Sequence, residues 1–165
     1  MEILVRENLF NTPLECGLRL LVLLSKSHPT GCDVDRLLVY DYLLVHSGDV
    51  QDGPNSLHPP SPLRAGELLV RRSLLEKGLR LLMCKSLAER RYVGSGIEYC
   101  ATDLAQPFLS YFESPYFERA SATAEWLIAS FNVMETNALR NFASDMAGRW
   151  GTELIMDDLI DEGAY

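Results

Sequence analysis

A leucine-rich stretch that leads directly into a short hairpin pattern constrains this chain more than any other feature. Residues 64–85 carry apolar side chains at helical spacing, and residues 88–93 and 97–102 have the aromatic and β-branched content of two short strands. The Gly94-Ser-Gly sequence between the strands suits a tight turn. A helix followed at once by a two-stranded hairpin predicts a winged helix-turn-helix.

The central helix carries two further signals. Ser73 and Glu76 form a capping-box pattern, which predicts that one helix ends near Arg72 and a second begins at Ser73, as a helix-turn-helix requires. Gly78 lowers helical propensity by about 1 kcal/mol relative to alanine. We therefore expect Gly78 to lie where another backbone packs closely.

Helix-start signals predict further helices on both sides of this centre. Each signal is a Ser, Thr or Asp cap, followed in two cases by Pro at the first helical position. The expected helices are 13–26 after Thr12, 34–46 after Asp33, one to about 112 after Thr102 or Asp103, 115–131 after Ser114, and 135–150.

These elements predict a mainly α fold with a small β-hairpin wing: a winged helix-turn-helix followed by C-terminal helices. Residues 1–112 are expected to form the winged-helix domain, with N-terminal helices and a Pro/Gly-rich loop at 47–63. Residues 113–165 are expected to form a C-terminal helical extension with an acidic tail.

Asp41 lies inside a helical pattern that is apolar nearly all round. A carboxylate buried without a partner costs several kcal/mol, so Asp41 must find a hydrogen-bond donor or a positive charge. A salt bridge or cap within the fold is the expectation, and a functional contact is the alternative.

Charge is distributed unevenly along the chain. The net charge of −8 argues against a free-standing nucleic-acid binder, because such proteins neutralise phosphates with surplus Lys and Arg. Residues 64–91 nevertheless hold eight basic and three acidic residues, whereas residues 113–165 hold ten acidic and three basic residues. A basic centre and an acidic end predict either internal compensation or two different partner surfaces.

Six basic residues are the candidates for contact with a protein or with DNA. Winged helices often bind DNA through the helix before the wing, which favours phosphate contacts. Glu76 on the same helical face and Glu89 beside the wing repel phosphates, so docking on an acidic protein surface is preferred over DNA. The candidates are Arg71, Arg72, Lys77, Arg80, Arg90 and Arg91.

Large aromatic residues follow in the C-terminal helices. A stripe of this kind usually belongs to the hydrophobic core, and the competing interpretation makes Trp126, Phe142 and Trp150 candidate partner-docking residues. Residues 154–165 mix apolar and acidic side chains, which suits either a segment that docks on a basic partner or a frayed terminus.

No motif in the sequence indicates catalysis, a cofactor or a metal. There is no Gly-x-Ser-x-Gly elbow, P-loop or His-Glu-x-x-His, and the loop residues His46, Asp49, Asp52 and His58 do not have the spacing of a calcium loop. The four cysteines lie far apart, and no apolar run approaches the roughly 20 residues that span a bilayer. We expect a cytoplasmic binding protein without cofactors that does not associate with a membrane.

Six blocks of the sequence occur in a distinctive order. They are Asn11-Thr-Pro-Leu-Glu, Tyr40-Asp-Tyr-Leu-Leu-Val-His-Ser-Gly-Asp, Ser56-Leu-His-Pro, Gly66-Glu-Leu-Leu-Val-Arg-Arg, Glu76-Lys-Gly-Leu and Gly96-Ile-Glu-Tyr-Cys-Ala-Thr. Together they resemble the small middle component of bacterial ABC three-component systems, a group that includes the Lamassu anti-phage systems with their LmuC subunit. The resemblance covers about Asn11 to Phe131 and leaves the acidic end outside.

The resemblance implies a non-enzymatic winged-helix adaptor, comparable to the kleisin-type partners of SMC ATPases. Such a subunit of an anti-phage defence complex would link an SMC- or Rad50-like ATPase, which senses foreign DNA or DNA ends, to an effector such as a nuclease. DNA would then be contacted through the complex. The alternative is a winged-helix DNA-binding transcription regulator.

Overall fold

The computed structural model describes residues 12–59 and 64–148, and within these ranges the chain is mainly helical with one antiparallel hairpin. A 3-10 turn, Ser47–Asp49, follows the second helix inside the Pro/Gly-rich loop. The elements in chain order are α1 (Pro13–Ser27), α2 (Val34–Val45), α3 (Arg64–Cys84), β1 (Ala88–Val93), β2 (Gly96–Ala101), α4 (Ala105–Leu109), α5 (Pro115–Phe131) and α6 (Thr136–Gly148).

The predicted helix starts at Thr12, Asp33 and Ser114 are confirmed. Thr12 and Glu15 form a reciprocal capping box, in which each side chain accepts a hydrogen bond from the backbone N–H of the other residue. Asp33 accepts from the Arg36 N–H at 2.8 Å, and Ser114 accepts from the N–H of residue 117 at 3.2 Å. Local sequence alone therefore defines where these helices begin.

The helix break predicted at Ser73 is wrong, since α3 runs without interruption from Arg64 to Cys84. Leu75, Leu79 and Leu82 are all buried, and α3 packs mainly against α1. Arg71, one turn before Leu75, is buried on the same side of α3, so a break at Ser73 would end the regular spacing that keeps this stripe on one side of the helix. Burial of the stripe thus overrides the local capping signal.

Gly17 of α1 and Gly78 of α3 meet where the two helices cross, which confirms the expectation for Gly78. A Cβ atom added at Gly78 would lie 2.9 Å from the Gly17 nitrogen and 3.1 Å from its Cα. Both neighbours are backbone atoms, so no side chain can move aside. The absence of a side chain at Gly78 allows the close approach of α1 and α3.

The hairpin is joined to the helices by a short backbone bridge. Strands β1 and β2 pair from Ala88 with Ala101 to Val93 with Gly96. Cys32, between α1 and α2, exchanges two backbone hydrogen bonds with Tyr99 of β2, at 2.9 and 2.8 Å. The segment between the first two helices thus lies beside the hairpin and fixes its position.

Arg36 joins the start of α2 to the turn between α5 and α6. Its guanidinium donates hydrogen bonds to the carbonyl oxygens of Phe131 and Met134 and to the Thr136 hydroxyl. Thr136 in turn donates to the Asp33 carboxylate at 2.6 Å. These bonds connect the end of α5 and the start of α6 to the N-terminus of α2.

One buried cluster draws on helices from both sides of residue 112. Leu127 of α5 and Leu139 of α6 are fully buried in the same core as leucines of α1 and α2. Helix α4 is shorter than the helix to residue 112 that the sequence predicted. The division into 1–112 and 113–165 stays a prediction, and the acidic tail lies outside the described residues.

Two further findings concern the hydropathy of the helices and the state of the cysteines. None of the helices in the part of the chain that the structure describes is long and apolar enough to cross a membrane. The four cysteines are free thiols, of which Cys84 is exposed and the other three are buried.

We predict that the Gly78→Ala substitution lowers the free energy of unfolding by up to about 2 kcal/mol. Overpacking typically costs about 1–3 kcal/mol, which exceeds the roughly 1 kcal/mol that alanine gains in helix propensity. Urea denaturation measures the change. Gly94→Ala is the control, since nothing lies within 4 Å of a Cβ there, and a loss at Gly94 equal to that at Gly78 would contradict the account.

Candidate functional site

Asp41 binds two arginines from two other helices at the centre of the protein. Arg19 of α1 donates to the carboxylate through Nε at 2.7 Å and through Nη2 at 3.2 Å. Arg71 of α3 donates through Nη1 to the carboxylate at 2.6 Å and to the Asp41 carbonyl oxygen at 3.3 Å. All three residues are buried, with exposed fractions of 4%, 0% and 3% for Arg19, Asp41 and Arg71.

The two arginines keep the Asp41 carboxylate ionised. Burial on its own raises the pKa of a carboxyl group, but the charges and hydrogen bonds of Arg19 and Arg71 outweigh burial and lower the pKa of Asp41 to about 2. The Arg71 guanidinium also lies over the Tyr42 ring, 5.7 Å from its centroid. A salt bridge within the fold, which the sequence predicted for Asp41, is confirmed.

This cluster corrects the expectation for Arg71, which is a core residue and not a surface contact. Its position beside Arg72 in a basic stretch gave no sign of burial, because its partner Asp41 lies 30 residues earlier in the chain. Arg19 was not singled out by sequence reasoning. Its position inside the leucine-rich α1 helix is the signal that could have found it, since a charge there needs a buried partner.

The other predicted basic residues lie on the outside of α3 and of the hairpin. They are exposed, and Lys85 at the end of α3 joins them. We call this set the basic surface: Arg72, Lys77, Arg80, Lys85, Arg90 and Arg91.

Carboxylates occupy part of the basic surface. Arg72 donates to Asp35 of α2 at 3.2 Å and lies 3.9 Å from Glu76, while Arg91 lies 2.6 Å from Glu89. Among the residues that the structure describes, none carries a carboxylate within 4 Å of Lys77 or Arg80. The surface therefore combines neutralised arginines with cations that can pair with a partner.

The hairpin adds apolar area next to these charges. Tyr92 is 74% exposed, and Val93 and Ile97 at the turn are exposed as well. The Arg90 guanidinium lies over the Tyr92 ring, 5.6 Å from its centroid. An exposed aromatic ring beside arginine is a composition typical of protein interfaces.

Trp126 and Phe142, two of the candidate docking residues, line one cleft of about 520 Å³. Both are half-buried and pack against the core, so they are neither fully internal nor free on the surface. Trp150 lies outside the described residues. We call this the acidic cleft, and its lining is Asp49, Val50, Gln51, Asp52, Trp126, Ser130, Phe131, Phe142, Asp145 and Met146.

The loop histidines are not arranged around a metal. His58 lies 2.9 Å from the Tyr116 hydroxyl, and burial, followed by the charges of Arg19 and Arg71, lowers the pKa of His58 to about 4. Its ring is therefore neutral at pH 7. Among the described side chains, those of residues 12–59 and 71–146, no three His, Cys, Asp or Glu residues form a group that could hold a metal ion.

The elements and surfaces together define a small helical protein that carries a two-stranded hairpin and two oppositely charged surfaces. The family model for the ABC-three component (ABC-3C) system Middle Component 2 matches residues 9–153, and the chain belongs to this family. The match extends beyond residue 131, where the resemblance in the sequence was expected to end. No curated protein and no solved structure matches the chain.

We predict that Asp41→Asn lowers the free energy of unfolding at pH 7 by about 3–5 kcal/mol, because it removes the carboxylate that both arginines bind. The folded-state pKa of about 2 lies below the ordinary 3.8. The stability that Asp41 contributes is therefore fully present above about pH 4 and is lost as the pH falls towards 2.

Urea denaturation of the wild type and the variant between pH 7 and pH 2 measures this difference. Asp35→Asn is the matched control, because Asp35 is a partly exposed ion-pair partner on the same helix. It should cost no more than about 1 kcal/mol. Equal losses from the two substitutions, or a difference that does not change below pH 4, would contradict the buried ion pairs.

Proposed function

We propose that this chain is a non-catalytic, cytoplasmic winged-helix adaptor in an anti-phage defence complex of the Lamassu type, with an LmuC-like role. It binds an SMC- or Rad50-like ATPase and an effector such as a nuclease. Membership in the middle-component family is the observation that carries the proposal, because a middle component belongs to a system of three components.

The connectivity of the chain supports the winged-helix part of the proposal. The backbone bridge at Cys32 adds a third short segment to the hairpin, next to β2. The order is then helix α1, bridge, helices α2 and α3, and hairpin. A winged helix has the same order of elements. It has three helices and a hairpin directly after the third, and the segment between the first two helices pairs with the second strand of the hairpin.

The charge arrangement on α3 supports a protein partner over DNA. Glu76 lies one helical turn after Arg72, and the carboxylates of Glu76 and Asp35 both lie beside the Arg72 guanidinium. DNA phosphates that bind here would have to approach the carboxylates of Glu76 and Asp35 closely. An acidic protein surface can place its own carboxylates at positions between Glu76 and Asp35. The exposed Tyr92 beside Arg90 adds an apolar contact that phosphates cannot use.

We predict that Arg72→Glu combined with Arg80→Glu lowers affinity for the ATPase component by about tenfold or more, since reversed charges repel an acidic partner. Purification of the tagged chain with the ATPase encoded beside it, followed by titration of the pure components, measures the change. Circular dichroism and thermal unfolding should show that the variant stays folded, because both substitutions lie on the exposed face of α3.

Lys26→Glu combined with Arg119→Glu is the matched control. It makes the same change in net charge at exposed positions of α1 and α5 that are not part of the basic surface. Affinity for the ATPase should stay within about twofold of the wild type. If the wild-type chain failed to bind the ATPase at all, the adaptor function would be lost. Equal effects from the two double variants would remove the basic surface as the contact.

The second candidate function is a winged-helix DNA-binding transcription regulator. Lys77, Arg80 and Lys85 favour it, because Lys77 and Arg80 are exposed on the helix that precedes the hairpin and Lys85 is exposed directly after that helix. This function predicts that the chain alone retards its own promoter fragment at low salt, with an affinity that falls steeply as salt rises. Absence of retardation at low salt would exclude it.

A further inference from the structure

The acidic cleft has an aromatic floor and a rim of carboxylates. Phe131 lies between Trp126 and Phe142, with ring centroids 6.1 Å and 5.2 Å away from theirs. Asp49, Asp52 and Asp145 also line the cleft, and none of its lining residues that the structure describes is basic. The loop and the helices α5 and α6 thus bring together apolar surface and three negative charges.

The loop side of the cleft is held in place by packing. Asp49 accepts a hydrogen bond from the Tyr42 hydroxyl at 3.2 Å. A Cβ atom at Gly53 would lie 3.2 Å from the Trp126 ring and closer still to the Ser47 carbonyl oxygen. The close contact at Gly53 places the loop directly against Trp126. The cleft is therefore a formed feature of the fold.

The charges of the cleft determine what can occupy it. Asp52 and Asp145 are exposed, and within the described ranges no Lys, Arg or His side chain lies within 4 Å of either carboxylate. A neutral apolar ligand would leave these carboxylates partly desolvated without a counter-ion, which is costly. A guanidinium satisfies both parts of the site, since it stacks on aromatic faces and donates paired hydrogen bonds to carboxylates.

We infer that the acidic cleft binds an arginine side chain presented by a segment of a partner protein. The inference rests on the adaptor function proposed above, because it specifies the chemistry of one partner. A volume of about 520 Å³ lies in the range of ligand pockets and exceeds the size of one side chain. The arginine's neighbours in the partner segment then contact Phe142 and Met146.

Charge complementarity also distinguishes a partner from the chain's own C-terminal sequence. The described residues end two positions after Met146, a lining residue of the cleft. The sequence from 149 to 165 contains five acidic residues and one basic residue, Arg149. That sequence carries the same sign of charge as the rim, so a basic partner segment is the more favourable occupant.

The test begins with the full chain carrying Trp150→Phe, which leaves Trp126 as the single tryptophan. N-acetyl-arginine amide and its neutral isostere N-acetyl-citrulline amide are titrated while the NMR signal of the Trp126 indole N–H is followed. We expect a saturable shift with the arginine compound and an affinity for the citrulline compound that is weaker by about tenfold or more. Equal shifts with both compounds would overturn the inference.

Asp52→Asn combined with Asp145→Asn should lower the affinity for the arginine compound by about tenfold or more. Asn tolerates the positive φ of 61° at residue 52, so the loop backbone is preserved. Asp103→Asn combined with Glu118→Gln removes equal charge from exposed sites outside the cleft and should change nothing. If both double variants lowered the affinity for the arginine compound equally, net charge alone would explain the effect. The inference would then be overturned.

A further variant separates the chain's own arginine from a partner's. If Arg149→Gln shifted the Trp126 signal without added compound and raised the affinity for N-acetyl-arginine amide, Arg149 would be the natural occupant and the inference would be overturned. An unchanged Trp126 signal supports a partner arginine.

Assembly experiments separate failure of this inference from failure of the adaptor function. In mixtures with the purified ATPase and effector components, Asp52→Asn with Asp145→Asn should lose one component and keep the other. If the wild type binds neither component, the adaptor function fails whatever the titrations show. If the wild type binds both and the cleft variant binds both equally well, the adaptor function stands and the cleft inference fails.

Discussion

The carboxylate of Asp41 joins α1, α2 and α3 at one buried point, and the way α3 faces the rest of the protein depends on that contact. Arg19 reaches it from α1 and Arg71 from α3, while Asp41 itself belongs to α2. A buried ion pair adds little net stability. Leaving one of its charges buried without the partner costs several kcal/mol. Because one residue of helix rotation is about 100°, only one rotation of α3 brings Arg71 to Asp41. We interpret the cluster as the contact that fixes the rotation of α3.

The position of α3 determines what the protein presents to partners. With Arg71, Leu75 and Leu79 turned inward, Lys77 and Arg80 lie on the outer face. The Gly17–Gly78 crossing brings α3 close to α1, and the bridge at Cys32 fixes the hairpin beside the same helices. The acidic cleft is built from different elements, the loop after α2 and the helices α5 and α6. One frame therefore carries two surfaces of opposite charge, which is compatible with the adaptor function proposed above.

The sequence predicted the features that depend on neighbouring residues. It did not predict the features that depend on residues far away in the chain. Thr12, Asp33 and Ser114 cap helices because the caps and their bonding partners lie within three residues. Ser73 carries the same kind of signal, but Arg71 before it and Leu75 after it are buried on one side of α3, and the helix is continuous through Ser73. The sequence indicated that Asp41 needs a positive partner but not which one, and therefore placed Arg71 on the surface. The sequence indicates Trp126 and Phe142 as candidate docking residues. Only the folded structure shows that Asp52 and Asp145 line the same cleft.

Lysine footprinting of the complex tests the basic surface as the docking site most directly. The chain contains three lysines: Lys77 and Lys85 lie on the basic surface, and Lys26 lies on α1. Acetylation with and without the ATPase component, read by mass spectrometry, compares all three in one sample. The account predicts that Lys77 and Lys85 become several-fold less reactive in the complex while Lys26 does not change. A stable complex in which Lys77 and Lys85 react as fast as in the free chain would contradict it.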